Sequence, residues 1–161
     1  MKKVLILIMI TFFAFLFEFV VYNLGQTWLM PNVLILLIVF FTYNWGIRYS
    51  LIVALTAGLI RDSFSSDHFG LEIFSFVACA YAAVFIKRYL FHISVQVSRL
   101  LMIFFLIVLN FTIHLLVRVM TESVDVLSAL KFILVPQLIV TLLVSNYILK
   151  KIKTCVLKLS V

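Results

Sequence analysis

Long apolar stretches alternate with short polar clusters along almost the whole chain. A helix that crosses a membrane needs about 20 mostly apolar residues, because it rises about 1.5 Å per residue through a hydrocarbon core about 30 Å thick. The pattern therefore predicts an all-α integral membrane protein, with one polytopic domain over residues 1–161 and six transmembrane segments in a compact bundle. The predicted segments cover residues 4–21, 31–45, 47–60, 71–86, 100–117 and 132–149.

The second and third segments, residues 31–45 and 47–60, are short and are separated only by Gly46. One interpretation is that both span the membrane. The other is a re-entrant hairpin, whose irregular backbone is tolerated at membrane depth only when protein surrounds it. Arg48 favours two true spans, because a charged side chain buried in lipid is costly. Both interpretations stay open.

The composition excludes a water-soluble fold. Hydrophobic residues make up 66% of the chain and charged residues 12%, whereas soluble domains contain about 25% charged residues. In a soluble protein, the net charge of +7 would suggest nucleic-acid binding. Here a six-segment arrangement with the N-terminus inside puts ten of the 13 Lys and Arg residues on the inner side. The positive-inside rule therefore predicts that both termini lie in the cytoplasm.

One stretch breaks the apolar pattern: residues 56–74, TAGLIRDSFSSDHFGLEIF, contain five ionisable residues. The predicted topology places them at the outer ends of the third and fourth segments, level with Glu18 and with the stripe Asn110, His114 and Arg118. Ionisable side chains near lipid are costly and are usually paired. The sequence therefore predicts one polar layer near the outer surface. Its members are Glu18, Arg61, Asp62, Asp67, His68, Glu72, His114 and Arg118.

Three interpretations of this layer stay open. Its residues pair with one another and lock the helix ends, or they bind a protein partner, or they form a ligand pocket or catalytic centre. Catalysis has the least support: Asp62, Ser63 and His114 are residue types of a triad, but no pattern fixes a nucleophile, its base and an oxyanion hole together. The three histidines lie on different segments, so no metal site is expected. We expect no enzymatic activity and no cofactor.

Small residues predict close helix packing in two segments. Ala54 and Gly58 are four residues apart in the third segment, and the fourth contains further rows of small residues. Such rows let helix backbones approach each other closely in a membrane. Gly70 comes just before the fourth segment, where glycine permits a sharp turn of the chain. Close packing is therefore expected at Ala54, Gly58 and Gly70.

These features follow one another in a recognisable order. Pro31 opens an apolar segment, and Gly46 marks the turn after it. The next, small-rich segment ends in GLIRD at residues 58–62, and FGL at residues 69–71 opens the following helix after a short polar loop. Pro136 lies early in the last segment. This order resembles the family of the bacterial rod shape-determining protein MreD, and the likeness covers essentially the whole chain.

The resemblance implies a non-enzymatic, multi-pass protein of the bacterial cytoplasmic (inner) membrane, a scaffold of the cell-elongation (rod) complex that helps organise peptidoglycan synthesis and cell shape. The implied partner is MreC, a single-span protein with an outer-side domain. The elongation transpeptidase, the RodA polymerase and the MreB assembly are implied more loosely. The family's helical arrangement is similar to that of the substrate-binding subunits of energy-coupling-factor vitamin transporters, which gives the alternative function. Those subunits dock through alanine-rich rows on their first helix, and Ala14 is the only alanine in the first segment here.

Overall fold

The computed structural model describes residues 2–24, 31–64, 69–89, 95–121 and 130–159, and this part of the chain is helical apart from short turns. A helix occupies each of the six predicted apolar segments, and a π-helical turn at Leu130–Leu134 leads into the last one. The helices are α1 (Lys2–Leu24), α2 (Val33–Asn44), α3 (Ile47–Phe64), α4 (Leu71–Tyr89), α5 (Val95–Thr121) and α6 (Val135–Leu159).

Among the described residues, two helices are long and apolar enough to cross a membrane: α1 over Val4–Asn23 and α5 over Gln96–Thr121. Helix α1 lies at the edge of the bundle and buries a single row of side chains, from Leu7 through Thr11 and Phe15 to Glu18. Most of its other apolar side chains are exposed, as expected of a helix whose outer face contacts lipid. That the remaining helices also cross the membrane stays a prediction.

Helix α2 is the centre of the bundle. Its residues from Val33 to Thr42 are all buried, because α1, α3, α4, α5 and α6 all pack against it. A helix that is apolar on every side is expected in such an enclosed position. With 12 residues it is only about 18 Å long, well short of the roughly 30 Å hydrocarbon core. Its end groups must therefore be satisfied by the protein itself.

Both ends of α2 have polar partners. The Asn32 side chain accepts a hydrogen bond from the Ile35 N–H at 3.2 Å, which caps the N-terminus. At the other end, Lys87 Nζ donates to the carbonyl oxygens of Thr42 and Tyr43, at 3.1 Å and 3.0 Å. A cation at this position also interacts favourably with the negative end of the helix dipole. These contacts explain how so short a helix ends inside an apolar bundle.

Helices α3 and α4 pack closely. A Cβ added at Gly58 of α3 would lie 2.5 Å from the Ile73 Cα of α4, so the glycine permits an approach that no other residue allows. Ala54 and Ala57 of α3 are also buried, and so are Cys79 and Ala83 of α4. Small side chains thus line the contact between the two helices, the arrangement that allows close backbone approach in membrane bundles.

Candidate functional site

Asp62 caps the following helix. Its side chain is buried near the end of α3, and its Oδ2 accepts hydrogen bonds from the Gly70 N–H at 3.1 Å and the Ile73 N–H at 3.2 Å. Oδ1 accepts a third from the Glu72 N–H at 3.1 Å. The first N–H groups of a helix have no partner within the helix, and a carboxylate there is favoured by the helix dipole. One side chain of α3 therefore fixes the start of α4.

Two glycines make this geometry possible. Gly70 has φ +99°, a conformation that glycine adopts without the steric penalty of a side chain. Gly58 is one helical turn before Asp62, so the two residues share one face of α3. Gly58 lets the two helices touch, and Asp62 then reaches the N-terminus of α4. We refer to Gly58, Asp62, Gly70, Glu72 and Ile73 together as the α3–α4 corner.

Beside the corner, four side chains from four helices form an ion network. Arg61 Nη1 of α3 lies 3.7 Å from Glu18 Oε1 of α1, and Arg61 Nε lies 3.3 Å from Glu72 Oε1 of α4. His114 Nε2 of α5 lies 3.4 Å from Glu72 Oε2. The Glu18 and Glu72 side chains are only 8% and 12% exposed, and Arg61 is 30% exposed. The network therefore holds mostly buried charges at one end of the bundle.

Helix α5 extends this polar region in both directions from His114. One turn earlier, Asn110 accepts a hydrogen bond from the Ser75 hydroxyl of α4. One turn later, Arg118 interacts electrostatically with Glu72. Residues 110, 114 and 118 lie four apart and so occupy one face of the helix. The polar stripe of α5 therefore faces the start of α4.

The network contributes little net stability but is sensitive to the loss of any one member. Three of its buried polar atoms have no hydrogen-bond partner within the described residues: Glu18 Oε2, Arg61 Nη1 and Glu72 Oε2. The attraction within a buried ion pair is largely offset by the cost of removing both charges from water. Removing one partner is nevertheless strongly destabilising, by about 3–5 kcal/mol, since it leaves an uncompensated charge.

The structure thus divides the predicted polar layer into two parts. Glu18, Arg61, Glu72 and His114 come together in the network, with Arg118 nearby. Asp62 belongs to the corner instead, with Gly58 at a close helix contact and Gly70 at a turn. Ala54 is buried one helical turn before Gly58. Asp67 and His68 lie outside the described residues.

Asp62, Ser63 and His114 do not form a catalytic triad. Asp62 accepts three backbone hydrogen bonds, the Ser63 hydroxyl donates to the Leu59 carbonyl of its own helix, and His114 faces Glu72. A triad requires the serine and the carboxylate to contact the histidine. Within the described ranges, no group of three or more His, Cys, Asp or Glu side chains is placed to hold a metal ion.

Sequence reasoning missed the two residues that cap α2. Asn32 had a recognisable signal, because an Asn just before an apolar run is a common N-cap. Lys87 had none, since it lies 44 residues from Tyr43 along the chain and was counted only as a charge on the inner side. Tyr43 also lies beneath this ammonium group, whose nitrogen is 5.1 Å from the ring centroid.

The apolar helices and the enclosed polar contacts define a helical membrane protein. The sequence model of the family described as rod shape-determining protein MreD matches residues 1–151. The chain belongs to the MreD family, which confirms the resemblance and implies a role in determining rod shape. Comparisons with curated proteins and with solved structures give no match.

Proposed function

We propose that this chain is a non-enzymatic, multi-pass scaffold of the bacterial cytoplasmic membrane. Both termini lie inside, and the bundle end that carries Arg61 faces outward. The distribution of Lys and Arg supports this orientation. The positions of Arg61 and Lys87 fit this orientation as well. Arg61 contacts Glu72, and α4 separates Glu72 from Lys87 by about 22 Å at 1.5 Å per residue, so the two cations lie at opposite ends of the bundle.

The proposed partner is MreC, the single-span protein implied by family membership, and the outer end of the bundle is its proposed docking region. The observation that carries this assignment is the way Asp62 fixes the start of α4 from α3. Together with the ion network, it holds the ends of α1, α3, α4 and α5 in one arrangement. A surface that is already ordered binds a partner at a smaller entropic cost.

Through MreC the protein would take part in the cell-elongation complex and help organise peptidoglycan synthesis. The elongation transpeptidase, RodA and the MreB assembly are the further proposed members. The scaffold contributes position and not chemistry in this proposal, which agrees with the use of its polar groups for helix capping and ion pairing. In a membrane, interhelical polar contacts add only about 0.6 kcal/mol each on average. Most of any intramembrane interface would therefore be apolar packing.

Affinity purification from native membranes in mild detergent, followed by mass spectrometry, tests the proposal. MreC and wall-elongation enzymes are expected with the wild-type chain. Asp62→Ala should lower their recovery or the accumulation of the protein, because three N–H groups lose their acceptor. Ser63→Ala is the matched control, since its hydroxyl bonds only within α3. Normal accumulation and normal MreC recovery with Asp62→Ala would contradict the role given to the corner.

The same purification also distinguishes the alternative function. Recovery of a pair of ATPases with a transmembrane coupling subunit, and no MreC, would identify a substrate-binding subunit of a vitamin transporter. The ion network would then lie at the entrance of a ligand site and would need to be reinterpreted.

A further inference from the structure

A groove lies between α5 and α6, in the half of the bundle nearer Lys87. Its volume is about 470 Å³, within the range of about 300–1,000 Å³ found for small-molecule sites. Its walls are apolar side chains, so a polar ligand would lose its hydrogen bonds to water without replacement. We refer to it as the α5–α6 groove. It is lined by Val97, Leu100, Leu101, Phe104, Leu142 and Leu143.

The groove spans about two thirds of the depth of one membrane leaflet. Its α5 wall extends from Val97 to Phe104 on a single helix face, a rise of about 10 Å. One leaflet contributes about 15 Å, half of the hydrocarbon thickness. A transmembrane helix is about 10 Å across with its side chains, and an acyl chain is narrower. An acyl chain fits these dimensions better.

The chain becomes basic just beyond the groove. Lys150 follows Leu143 by seven residues on α6, so the two positions lie on the same helix face two turns apart. Lys151 is next to it, and the sequence adds Lys153 and Lys158 before the helix ends. On α5, Arg99 directly precedes Leu100, but its guanidinium carbon lies over the Tyr43 ring, 5.9 Å from the centroid. Anionic lipid headgroups attract such basic clusters at the inner membrane surface.

We propose that the α5–α6 groove binds an anionic phospholipid of the inner leaflet. One acyl chain lies between α5 and α6, and the phosphate lies beyond it, at the level where the sequence of α6 becomes basic. The apolar walls supply the affinity for the chain, and the lysines supply the preference for a negative headgroup. This site rests on the inner orientation of the α6 C-terminus proposed above but does not depend on MreC binding.

Native mass spectrometry of the full chain in mild detergent tests the site, using phosphatidylglycerol and phosphatidylethanolamine with identical acyl chains. We expect tighter binding of the anionic phosphatidylglycerol. Replacing Lys150 and Lys151 by Gln should reduce that preference about fivefold for each lysine, with little change for phosphatidylethanolamine. Arg48→Gln is the charge control, because Arg48 is an exposed residue at the start of α3.

Leu101→Trp fills the groove and should weaken the binding of both lipids. Leu116→Trp is its control, since it makes the same change on α5 at an exposed position away from the groove. Equal binding of the two lipids by the wild-type chain would overturn the proposal, as would undiminished binding by Leu101→Trp. A photo-crosslinker at position 101 that captures a protein segment in cells, and no lipid, would assign the groove to a partner helix. If Leu101→Trp does not accumulate, the lysine variant alone decides.

Discussion

Gly58→Ala tests the α3–α4 corner most directly. It is expected to destabilise the protein, whereas the same change inside a helix is usually stabilising. Replacing a glycine by alanine inside a helix normally stabilises it by about 1 kcal/mol. Here the new Cβ would lie 2.5 Å from the Ile73 Cα and 2.9 Å from the Ile73 N, whereas ordinary contacts begin at 3.4 Å. The two helices must therefore separate by about 0.9 Å.

The separation has two consequences. Overpacking of this kind typically costs about 1–3 kcal/mol. It also carries Asp62 away from α4, which stretches hydrogen bonds of 3.1–3.2 Å to roughly 4 Å, beyond their useful range. Loss of an N-cap costs about 1 kcal/mol. After subtracting the gain in helix propensity, we expect a net destabilisation of about 1–3 kcal/mol.

Thermal unfolding of the purified protein in detergent, followed by circular dichroism, measures the effect. For a chain of this size, a loss of about 2 kcal/mol lowers the melting temperature by about 4–8 °C. Ser63→Ala, an exposed position in the same helix, should change it little. Trimming the neighbour by Ile73→Ala should not rescue Gly58→Ala, since the nearest atoms are backbone. A Gly58→Ala variant as stable as the wild type would refute the close approach.

Two further substitutions test the other polar contacts by the same unfolding measurement. Lys87→Met should destabilise the protein by about 1.5–3 kcal/mol, because the last carbonyls of α2 lose hydrogen bonds from a charged donor. Arg88→Met, at the exposed neighbouring position, is the control and should have little effect. Equal destabilisation by the two variants would contradict the capping role of Lys87. Arg61→Met should cost about 3–5 kcal/mol by leaving two carboxylates uncompensated. Adding Glu18→Gln should then recover part of that loss, whereas independent, additive effects would show that the two side chains are not coupled.

The positions of the helices were predictable because the apolar runs set them. A run such as the one in α2 has no polar face, which is the pattern of a helix enclosed on all sides. The convergence of Glu18, Arg61 and Glu72 followed from topology together with the cost of leaving ionisable groups unpaired in a membrane. Both inferences rest on the pattern of many residues, so neither required any single contact to be known.

Individual partners were harder to predict, because they depend on how helices distant in sequence are rotated. Arg61 and Asp62 were both predicted to belong to one polar layer. Successive residues of a helix differ by about 100° around its axis, so Arg61 reaches the Glu18 and Glu72 side chains, while Asp62 reaches backbone N–H groups at the start of α4. Lys87 likewise turns inward to α2, although charge counting treated it as a surface residue.

The residues that most resemble the family pattern lie together at the α3–α4 corner, where they determine how the two helices are arranged. Gly58, Asp62 and Gly70 set the distance between α3 and α4, the start of α4 and the turn that joins them. All the hydrogen bonds described for the Asp62 carboxylate go to the backbone, so it has no need of a substrate to explain its burial. If a partner recognises the proposed outer end of this bundle, it recognises a geometry that these three residues impose. Substitutions at the corner should therefore impair partner binding in proportion to the stability they remove.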